Sequence, residues 1–275
     1  MNSAQLCGFW LLAASSVLPL AASLAAAHPE LLEAPLTQIS QLEEISKFRS
    51  GAGHDFSYDA SFPFGASDSS EPPSSMKHYL APLPAYSGDR VTIPVYAPLA
   101  GVITRVTEET NGAIVNKRVE IVSIEDPSYL LILFHIDLDE AYPQILEDWP
   151  IEFWPSHQED DDSYVTTTVA PGDLLGYADM RTGHDFDVAV LWTDTDGERY
   201  WVSYFDLMPD SIFSRFTARG LQRSDLRVSK AERLATPVTW WGGRDEHDWL
   251  PLARPVPMLS WGGAALIACL TVWVI

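Results

Sequence analysis

Within residues 49–191, three segments of the 275-residue chain bring a histidine within two residues of an aspartate. They are residues 54–55 (His-Asp), 135–137 (His-Ile-Asp) and 184–187 (His-Asp-Phe-Asp). Imidazole and carboxylate groups are both ligands for divalent cations, and a histidine can also take a proton from a bound water. The pattern therefore favours metal-dependent hydrolysis or general acid–base catalysis.

Thiol chemistry is excluded from the middle of the chain, because the two cysteines, Cys7 and Cys269, lie in uncharged stretches at either end. The middle has no disulfide, no thiolate nucleophile and no cysteine ligand for zinc. The formal net charge is −21 at pH 7, and the sequence contains no cluster of lysines and arginines. Phosphates repel a chain of this charge, so nucleic acid is excluded as the expected partner.

Both ends of the chain have the composition of targeting or membrane segments. Residues 1–27 combine an apolar run with an Ala-Ala-Ala end, which is typical of a secretory signal peptide. Residues 255–275 are uncharged and long enough to cross a bilayer, which indicates a hydrophobic anchor or a sorting tail. We therefore expect an exported protein of the cell envelope, in the periplasm or at the cell surface, tethered to the membrane by its C-terminal tail.

The elements that must position the chemical groups are mostly β-strands. Runs rich in Val, Ile, Tyr and Thr, most of them bounded by turn residues, predict strands at 91–96, 101–107, 118–124, 129–136, 165–169, 187–191 and 200–205. Apolar spacing predicts a short helix in the N-terminal segment 28–48. Asp210 as N-cap predicts a helix at 210–218, and a capping box of Ser229 and Glu232 predicts one at 229–234. This pattern favours a mainly β fold, an antiparallel sandwich or barrel with a few short helices.

Residues 49–191 resemble the lysostaphin-like peptidases, the zinc metallopeptidases of family M23 that cut peptide bridges in bacterial cell walls. The resemblance rests on a strand V-Y-A-P-L-A-G-V at 95–102, a strand that carries His135, and a turn V-A-P-G-D-L-L-G at 169–176. It implies an antiparallel β groove of the duplicated hybrid motif type, with His135 as a catalytic residue. Residues 192–254 would form a C-terminal extension that packs on this domain.

The metal motifs of the family are altered in this sequence. The family holds zinc with the His and Asp of an H-x-G-x-D element and the last His of an H-x-H element, which leaves one position for water. Aligning Gly53 and Asp55 with the first element places Gly51 at the ligand histidine. Aligning residues 185–187 with the second element replaces both histidines by aspartates, and a shift to His184 keeps one histidine but loses the pair.

Two interpretations of the altered site follow. In the first, a rebuilt cluster of histidines and aspartates holds zinc or another divalent cation, while His135 activates a water as general base. The ligands of that cluster are His54, Asp55 and His78 with Asp185 or Asp187. In the second, the same histidines are hydrogen-bonded structural residues, and the two aspartates belong to a turn.

The leading hypothesis for function is an exported, metal-dependent hydrolase directed at peptidoglycan. The alternative is a catalytically inactive module that keeps the groove for cell-wall peptide, glycan or a partner enzyme. A tethered structural protein without a small ligand is a third hypothesis. Metal content distinguishes the first of these from the other two.

Overall fold

The computed structural model describes residues 28–58, 66–87, 93–111, 114–143, 167–181, 185–244 and 246–254. The predicted signal peptide, the predicted C-terminal tail and His184 lie outside these residues. No helix of the described chain has the length and apolar composition needed to span a membrane.

Eleven strands form one antiparallel hydrogen-bonded sheet in the described part of the chain. The strands are β1 Leu42–Ser46, β2 His78–Pro82, β3 Pro94–Tyr96, β4 Gly101–Asn111, β5 Ile114–Ser123, β6 Tyr129–Leu138, β7 Thr167–Val169, β8 Leu174–Ala178, β9 Phe186–Thr193, β10 Arg199–Val202 and β11 Trp249–Pro251. The α-helices are α1 Asp210–Thr217 and α2 Lys230–Ala235, and short 3-10 helices span Ile39–Gln41, Tyr204–Leu207 and Arg223–Leu226. The prediction of a mainly β fold with a few short helices is confirmed.

The order of the strands places β6 at the centre of the sheet. The hydrogen-bonded order is β11-β1-β2-β9-β6-β5-β4-β7, while β10 pairs with β9 and β8 pairs with both β3 and β6. The first part of β6 pairs with β5 and β9, and its last three residues, 136–138, pair with β8. The partner on one side of β6 changes from β9 to β8 around His135, while β5 stays paired on the other side as far as Ile136, so this histidine lies at a branch point of the sheet.

The two faces of the sheet bury different apolar clusters. The larger cluster includes Leu131, Leu133 and Val188 from the central strands and takes in Phe213 and Phe216 of α1. The smaller cluster lies on the opposite face and contains Leu130, Ile132, Phe134, Ala189, Leu191 and Trp201. Alternation along β6 and β9 produces this separation, because successive side chains of a strand point to opposite faces.

The helix predicted within residues 28–48 is not present, and that prediction was wrong. The segment forms one turn of 3-10 helix at Ile39–Gln41 and then strand β1. The register between β1 and β2 shifts between Leu42 and Glu44, so Leu42 and Ile45 are both buried although three residues separate them. A β-bulge therefore reproduced the three-residue apolar spacing that had suggested a helix.

The region after β9 is continuous with the sheet and the core. Strand β10 pairs with β9, and β11 pairs with β1 at the other side of the sheet. Helix α2 begins with the predicted capping box, in which the Ser229 hydroxyl accepts a hydrogen bond from the Glu232 N–H and the Glu232 carboxylate accepts one from the Ser229 N–H. Helix α1 differs from expectation, because Asp210 is its first helical residue and Pro209 precedes it without a side-chain cap.

Candidate functional site: a charged strip across the sheet

A row of polar and charged side chains crosses one face of the sheet. We call it the charged strip, and it extends from β4 over β5, β6 and β9 to the residue before β2. Its members are Arg105, Glu109, Asn116, Arg118, Glu120, His135, Asp187 and Lys77. Apart from His135, these residues share the face of the smaller apolar cluster because they occupy alternate positions of neighbouring strands.

The β4–β5 end of the strip is an ion-pair network around Glu120. One oxygen of this carboxylate, Oε1, lies 3.2 Å from Nε of Arg118 and 3.8 Å from a guanidinium nitrogen of Arg105. Glu120 is almost fully buried, whereas the two arginine side chains retain some exposure. A buried carboxylate between two guanidinium groups is compensated by their positive charge.

A β-bulge brings His135 into the strip. Lys117 pairs with Ile136 and Val119 pairs with Leu133, so Phe134 and His135 together oppose the single residue between Lys117 and Val119. His135 has a φ of 58°, in the left-handed region that non-glycine residues rarely adopt. Such a conformation costs on the order of 1–3 kcal/mol, and strained residues of this kind cluster at functional sites.

The imidazole of His135 is held between two partners. The Nδ2 of Asn116 lies 3.2 Å from Nδ1, and Oδ1 of Asp187 lies 3.4 Å from Nε2. Donation by the Asn116 amide requires a bare Nδ1, so the neutral ring carries its proton on Nε2, the nitrogen that faces Asp187. The Oε2 of Glu109 lies 3.8 Å from Nδ1. The His135 side chain is 32% exposed and is therefore accessible to a ligand.

Asp187 and Lys77 form a buried ion pair beneath His135. The Lys77 Nζ lies 2.8 Å from Asp187 Oδ2, and the two side chains are 3% and 0% exposed. The ammonium also lies 3.5 Å from the ring centroid of Phe134 and 4.4 Å from that of Phe56. The rings add cation–π attraction to the ion pair, and the ammonium neutralises a carboxylate that has no contact with solvent.

Tyr79 closes the strip on the side of β2. It pairs with Asp187 across the two strands, and burial together with the Asp187 charge raises the pKa of its phenol well above the ordinary value. A Cβ added at Gly53 would lie 2.0 Å from the Tyr79 hydroxyl, and Gly53 has a φ of 67°. Only glycine fits at this position, because both the space and the backbone conformation exclude a side chain.

The loop that carries Gly53 is fixed by a buried network. Arg233 donates hydrogen bonds to the Arg49 carbonyl, at 2.7 Å, and to Asp248 Oδ1, at 2.8 Å. The other Asp248 oxygen accepts a hydrogen bond from the Gly51 N–H at 2.6 Å. A Cβ at Gly51 would lie 2.7 Å from that oxygen. No histidine therefore fits at Gly51, the position that corresponds to a zinc ligand in the resemblance to M23 peptidases.

The structure places His78 apart from the strip. It follows Lys77 in sequence and points to the opposite face of the sheet. Its Nδ1 is 2.8 Å from the Ser46 carbonyl and its Nε2 is 2.9 Å from the Ser203 hydroxyl. Burial lowers the pKa of His78 to about 4, although the Ser46 hydrogen bond acts in the opposite direction. Both ring nitrogens are engaged, so neither is available to a cation without breaking a buried hydrogen bond.

The other predicted ligands lie in exposed surroundings. His54 is exposed, with Nδ1 2.9 Å from the carbonyl of Asp55. The Asp55 carboxylate accepts hydrogen bonds from the Ser57 hydroxyl and from the backbone N–H groups of Ser57 and Ser74, which organise its own loop. Asp185 lies 3.1 Å from Arg244 near the surface. Of the six predicted site residues, the structure brings His135 and Asp187 together at the strip.

The side chains at the strip do not fit a zinc ion. A cation against Asp187 would meet the Lys77 ammonium at hydrogen-bond distance from the same carboxylate. Among the described residues, no group of three His, Cys, Asp or Glu side chains is arranged to hold a metal ion. A structural or catalytic zinc site needs at least three such ligands.

Sequence reasoning missed most of the strip. Lys77, Glu109 and Asn116 were not selected, and neither was the network around Glu120. One signal was available, since residues 105, 107 and 109 and residues 116, 118 and 120 are all polar at alternate positions of two adjacent strands. That alternation predicts a polar face on a β-hairpin, but the partner strands that add His135, Asp187 and Lys77 follow only from the fold.

The strip is suited to binding a ligand with several charged groups. It alternates in sign along its length, with arginines, carboxylates and a lysine within one row. His135 supplies the one imidazole ring of the strip, and Asp187 lies 3.4 Å from its Nε2. The arrangement can therefore fix a polar ligand and offer it a histidine side chain.

Comparison of the chain with protein-family models, with curated proteins and with solved structures found no match.

Proposed function

We propose that this chain is an exported protein of the cell envelope whose charged strip is a lysostaphin-like groove that binds cell-wall peptide without hydrolysing it. The observation that carries the proposal is the buried ion pair between Lys77 and Asp187. In the resemblance to M23 peptidases, Asp187 takes the place of a zinc-ligand histidine. The Lys77 ammonium supplies at this place the positive charge that a metal ion would supply.

The alternating charges of the strip support a peptide as the ligand. A short cell-wall peptide carries both amino and carboxylate groups, and the strip offers guanidinium groups at one end and carboxylates nearer His135. Electrostatic complementarity of this kind fixes the orientation of a ligand more than it raises affinity. The accessible ring of His135 would contact the peptide beside Glu109.

One observation favours the hydrolase as a second candidate. His135 is exposed, is oriented by a buried aspartate and has a strained backbone, and a general base has these same features. Such a hydrolase would need a metal or a nucleophile in addition to this pair of residues. The two candidates therefore differ in metal content and in cleavage of the bound peptide.

The test uses the full-length chain, purified without chelator, and a synthetic cell-wall stem peptide without its sugars. Calorimetry measures binding with and without EDTA, mass spectrometry detects cleavage, and elemental analysis measures bound metal. We expect saturable binding that EDTA does not change, no cleavage and no stoichiometric zinc. One equivalent of zinc with cleavage of the peptide would replace the proposal by the hydrolase, and absence of any binding would refute both.

Two neighbouring glutamates provide a matched pair of variants. Glu109 faces the strip and lies 3.8 Å from His135, whereas Glu108 points to the other face and pairs with Lys117 at 2.6 Å. We expect Glu109→Gln to weaken peptide binding about tenfold, which corresponds to roughly 1.4 kcal/mol, and Glu108→Gln to leave it unchanged. Equal effects of the two substitutions would show that the peptide does not lie on the strip.

A further inference from the structure

A separate cavity of about 200 Å³ lies beside the β9–β10 hairpin. Trp192, Tyr200 and Trp201 form its aromatic wall, and Asp68 and Glu71 line it from a neighbouring loop. None of its lining residues belongs to the charged strip. Pockets for drug-sized ligands are usually about 300–1,000 Å³, so this cavity suits a single small unit.

The charged groups around the cavity are already paired with one another. Arg49 makes two parallel hydrogen bonds to Glu71, at 2.9 and 2.8 Å. The ammonium of Lys230 lies 2.8 Å from Asp68 Oδ2 and 3.9 Å from Glu71 Oε1. Burial pushes the pKa of Asp68 upward, but hydrogen bonds from Lys230 and Ser70 outweigh burial and lower the pKa. Two carboxylates and two cations therefore balance each other at this site.

His28 adds no positive charge to the cavity at neutral pH. Burial lowers the pKa of His28, with opposing contributions from Asp206, which raises it, and Arg227, which lowers it. Its Nδ1 is 2.9 Å from the Tyr129 hydroxyl, and its ring packs edge-on against Trp192. A charged ligand would thus enter a neutral cavity and would have to break a bidentate pair to find a counter-charge.

The aromatic wall is preorganised by contacts among its own rings. The Trp192 and Tyr200 centroids are 5.6 Å apart at an interplanar angle of 33°, and Tyr129 stacks on Trp192 from another side at 6.4 Å. The buried indole N–H of Trp201 has no acceptor among the described residues. The cavity therefore combines flat apolar ring faces with paired carboxylates.

We propose that this aromatic cavity binds one uncharged saccharide unit. A sugar ring has an apolar C–H face that packs against Trp192 and Tyr200, and hydroxyl groups that can donate to Asp68 and Glu71 without disturbing the charge balance. The inference goes beyond the peptide-binding strip and does not depend on it.

Three sugars that share a ring but differ in charge test the proposal on the full-length chain. They are N-acetylglucosamine, which is neutral, glucosamine, which is a cation, and glucuronate, which is an anion. Ligand-observed NMR titration is expected to show saturable millimolar binding of the neutral sugar and at least about tenfold weaker binding of the two charged sugars. No saturable binding of the neutral sugar, or equal binding of all three, would overturn the proposal.

Variants locate the bound sugar. Tyr200→Leu removes the ring but keeps an apolar side chain, and we expect about a tenfold loss of affinity. Asp68→Asn keeps the shape of the side chain and tests the hydrogen bonds, with a several-fold loss expected. Trp240 is 76% exposed and does not line the cavity, so Trp240→Leu is the matched control and should change nothing.

These experiments also separate the cavity from the strip. Thermal melting of each variant confirms that the protein is folded before affinities are compared. Glu109→Gln should leave sugar binding intact, and Tyr200→Leu should leave binding of the sugar-free peptide intact. An effect of Trp240→Leu equal to that of Tyr200→Leu would place the sugar outside the cavity and refute the inference.

Discussion

Lys77 and His78 are neighbours in sequence but occupy opposite kinds of environment. His78 points to one face of the sheet, where the Ser46 carbonyl and the Ser203 hydroxyl satisfy both ring nitrogens and Phe205 packs edge-on at 4.7 Å. Lys77 points to the other face, where its ammonium neutralises Asp187 beside the exposed ring of His135. One buried polar residue completes the core, and the other supports an open site.

The environments of His78 and Lys77 differ in whether the surrounding groups can still contact a ligand. The His78 environment is a finished hydrogen-bond network, so it stabilises the fold without offering an atom to a ligand. The Lys77–Asp187 pair carries full charges and ends at His135, which still has an accessible ring. Burial alone therefore does not distinguish a structural residue from a site residue. The distinction depends on whether the groups that the residue contacts are themselves accessible to a ligand.

The largest expected effect comes from breaking the buried pair on one side. Lys77→Met leaves the Asp187 carboxylate buried without its counter-charge. Asp187→Asn likewise leaves the Lys77 ammonium buried without a counter-charge. We expect each substitution to lower the free energy of unfolding by about 3–5 kcal/mol, measured by urea denaturation. The double variant Lys77→Met/Asp187→Asn should recover at least half of this loss. Additive losses in the double variant would contradict a direct interaction between the two charges.

A pH titration examines the closed environment of His78. The folded-state pKa of about 4 lies below the unfolded value of 6.5, so the unfolded chain binds the proton first as pH falls. The contribution of His78 to the free energy of unfolding is therefore fully present above pH 6.5 and is lost as the pH falls toward 4. The total loss from this group is about 3 kcal/mol.

The matched variant for this titration is His78→Gln, which retains hydrogen-bonding groups but does not titrate. The free energy of unfolding of the native chain, relative to that of the variant, should fall by about 3 kcal/mol between pH 7 and pH 4. Parallel pH profiles for the two proteins would show that His78 does not control acid stability. Peptide binding at pH 7 should be the same in both.

The smallest effect on stability is expected at His135, in spite of its central position. Asparagine tolerates the left-handed backbone conformation better than histidine does, so His135→Asn should change the free energy of unfolding by less than about 1 kcal/mol. Calorimetric binding of the stem peptide should nevertheless weaken strongly. His54→Asn, at an exposed histidine whose Nδ1 contacts only the carbonyl of the next residue, is the control and should affect neither quantity. A large loss of stability in His135→Asn would assign His135 a structural role instead.

Local sequence patterns predicted the strands and helices well where the residues themselves determined the element. The strand predicted at 129–136 appears as Tyr129–Leu138, and the capping box at Ser229 starts α2. The segment before residue 48 was mispredicted because β1 forms only through its pairing with β2 and β11. Pairing between distant segments is not encoded in a short window of sequence.

The site was harder to predict than the fold for the same reason. His135 and Asp187 stood out as residues of suitable type near recognisable turns, and the structure brings them within 3.4 Å. His78 looked equivalent to them, but its position one residue after Lys77 turns it to the other face. Lys77 itself showed no pattern, because its role depends on Phe56, Phe134 and Asp187 from three other segments.

The pairing of β1 with β11 also constrains when the protein can fold. Ile45 pairs with Leu250, and Arg219 donates hydrogen bonds to the carbonyls of Ile39, Leu42 and Ala253. During synthesis β1 must remain without its outer neighbour until β11 has emerged, and closing so long a loop is slow. The outer edge of the sheet at β1 therefore forms only after the last strand of the described chain has been synthesised.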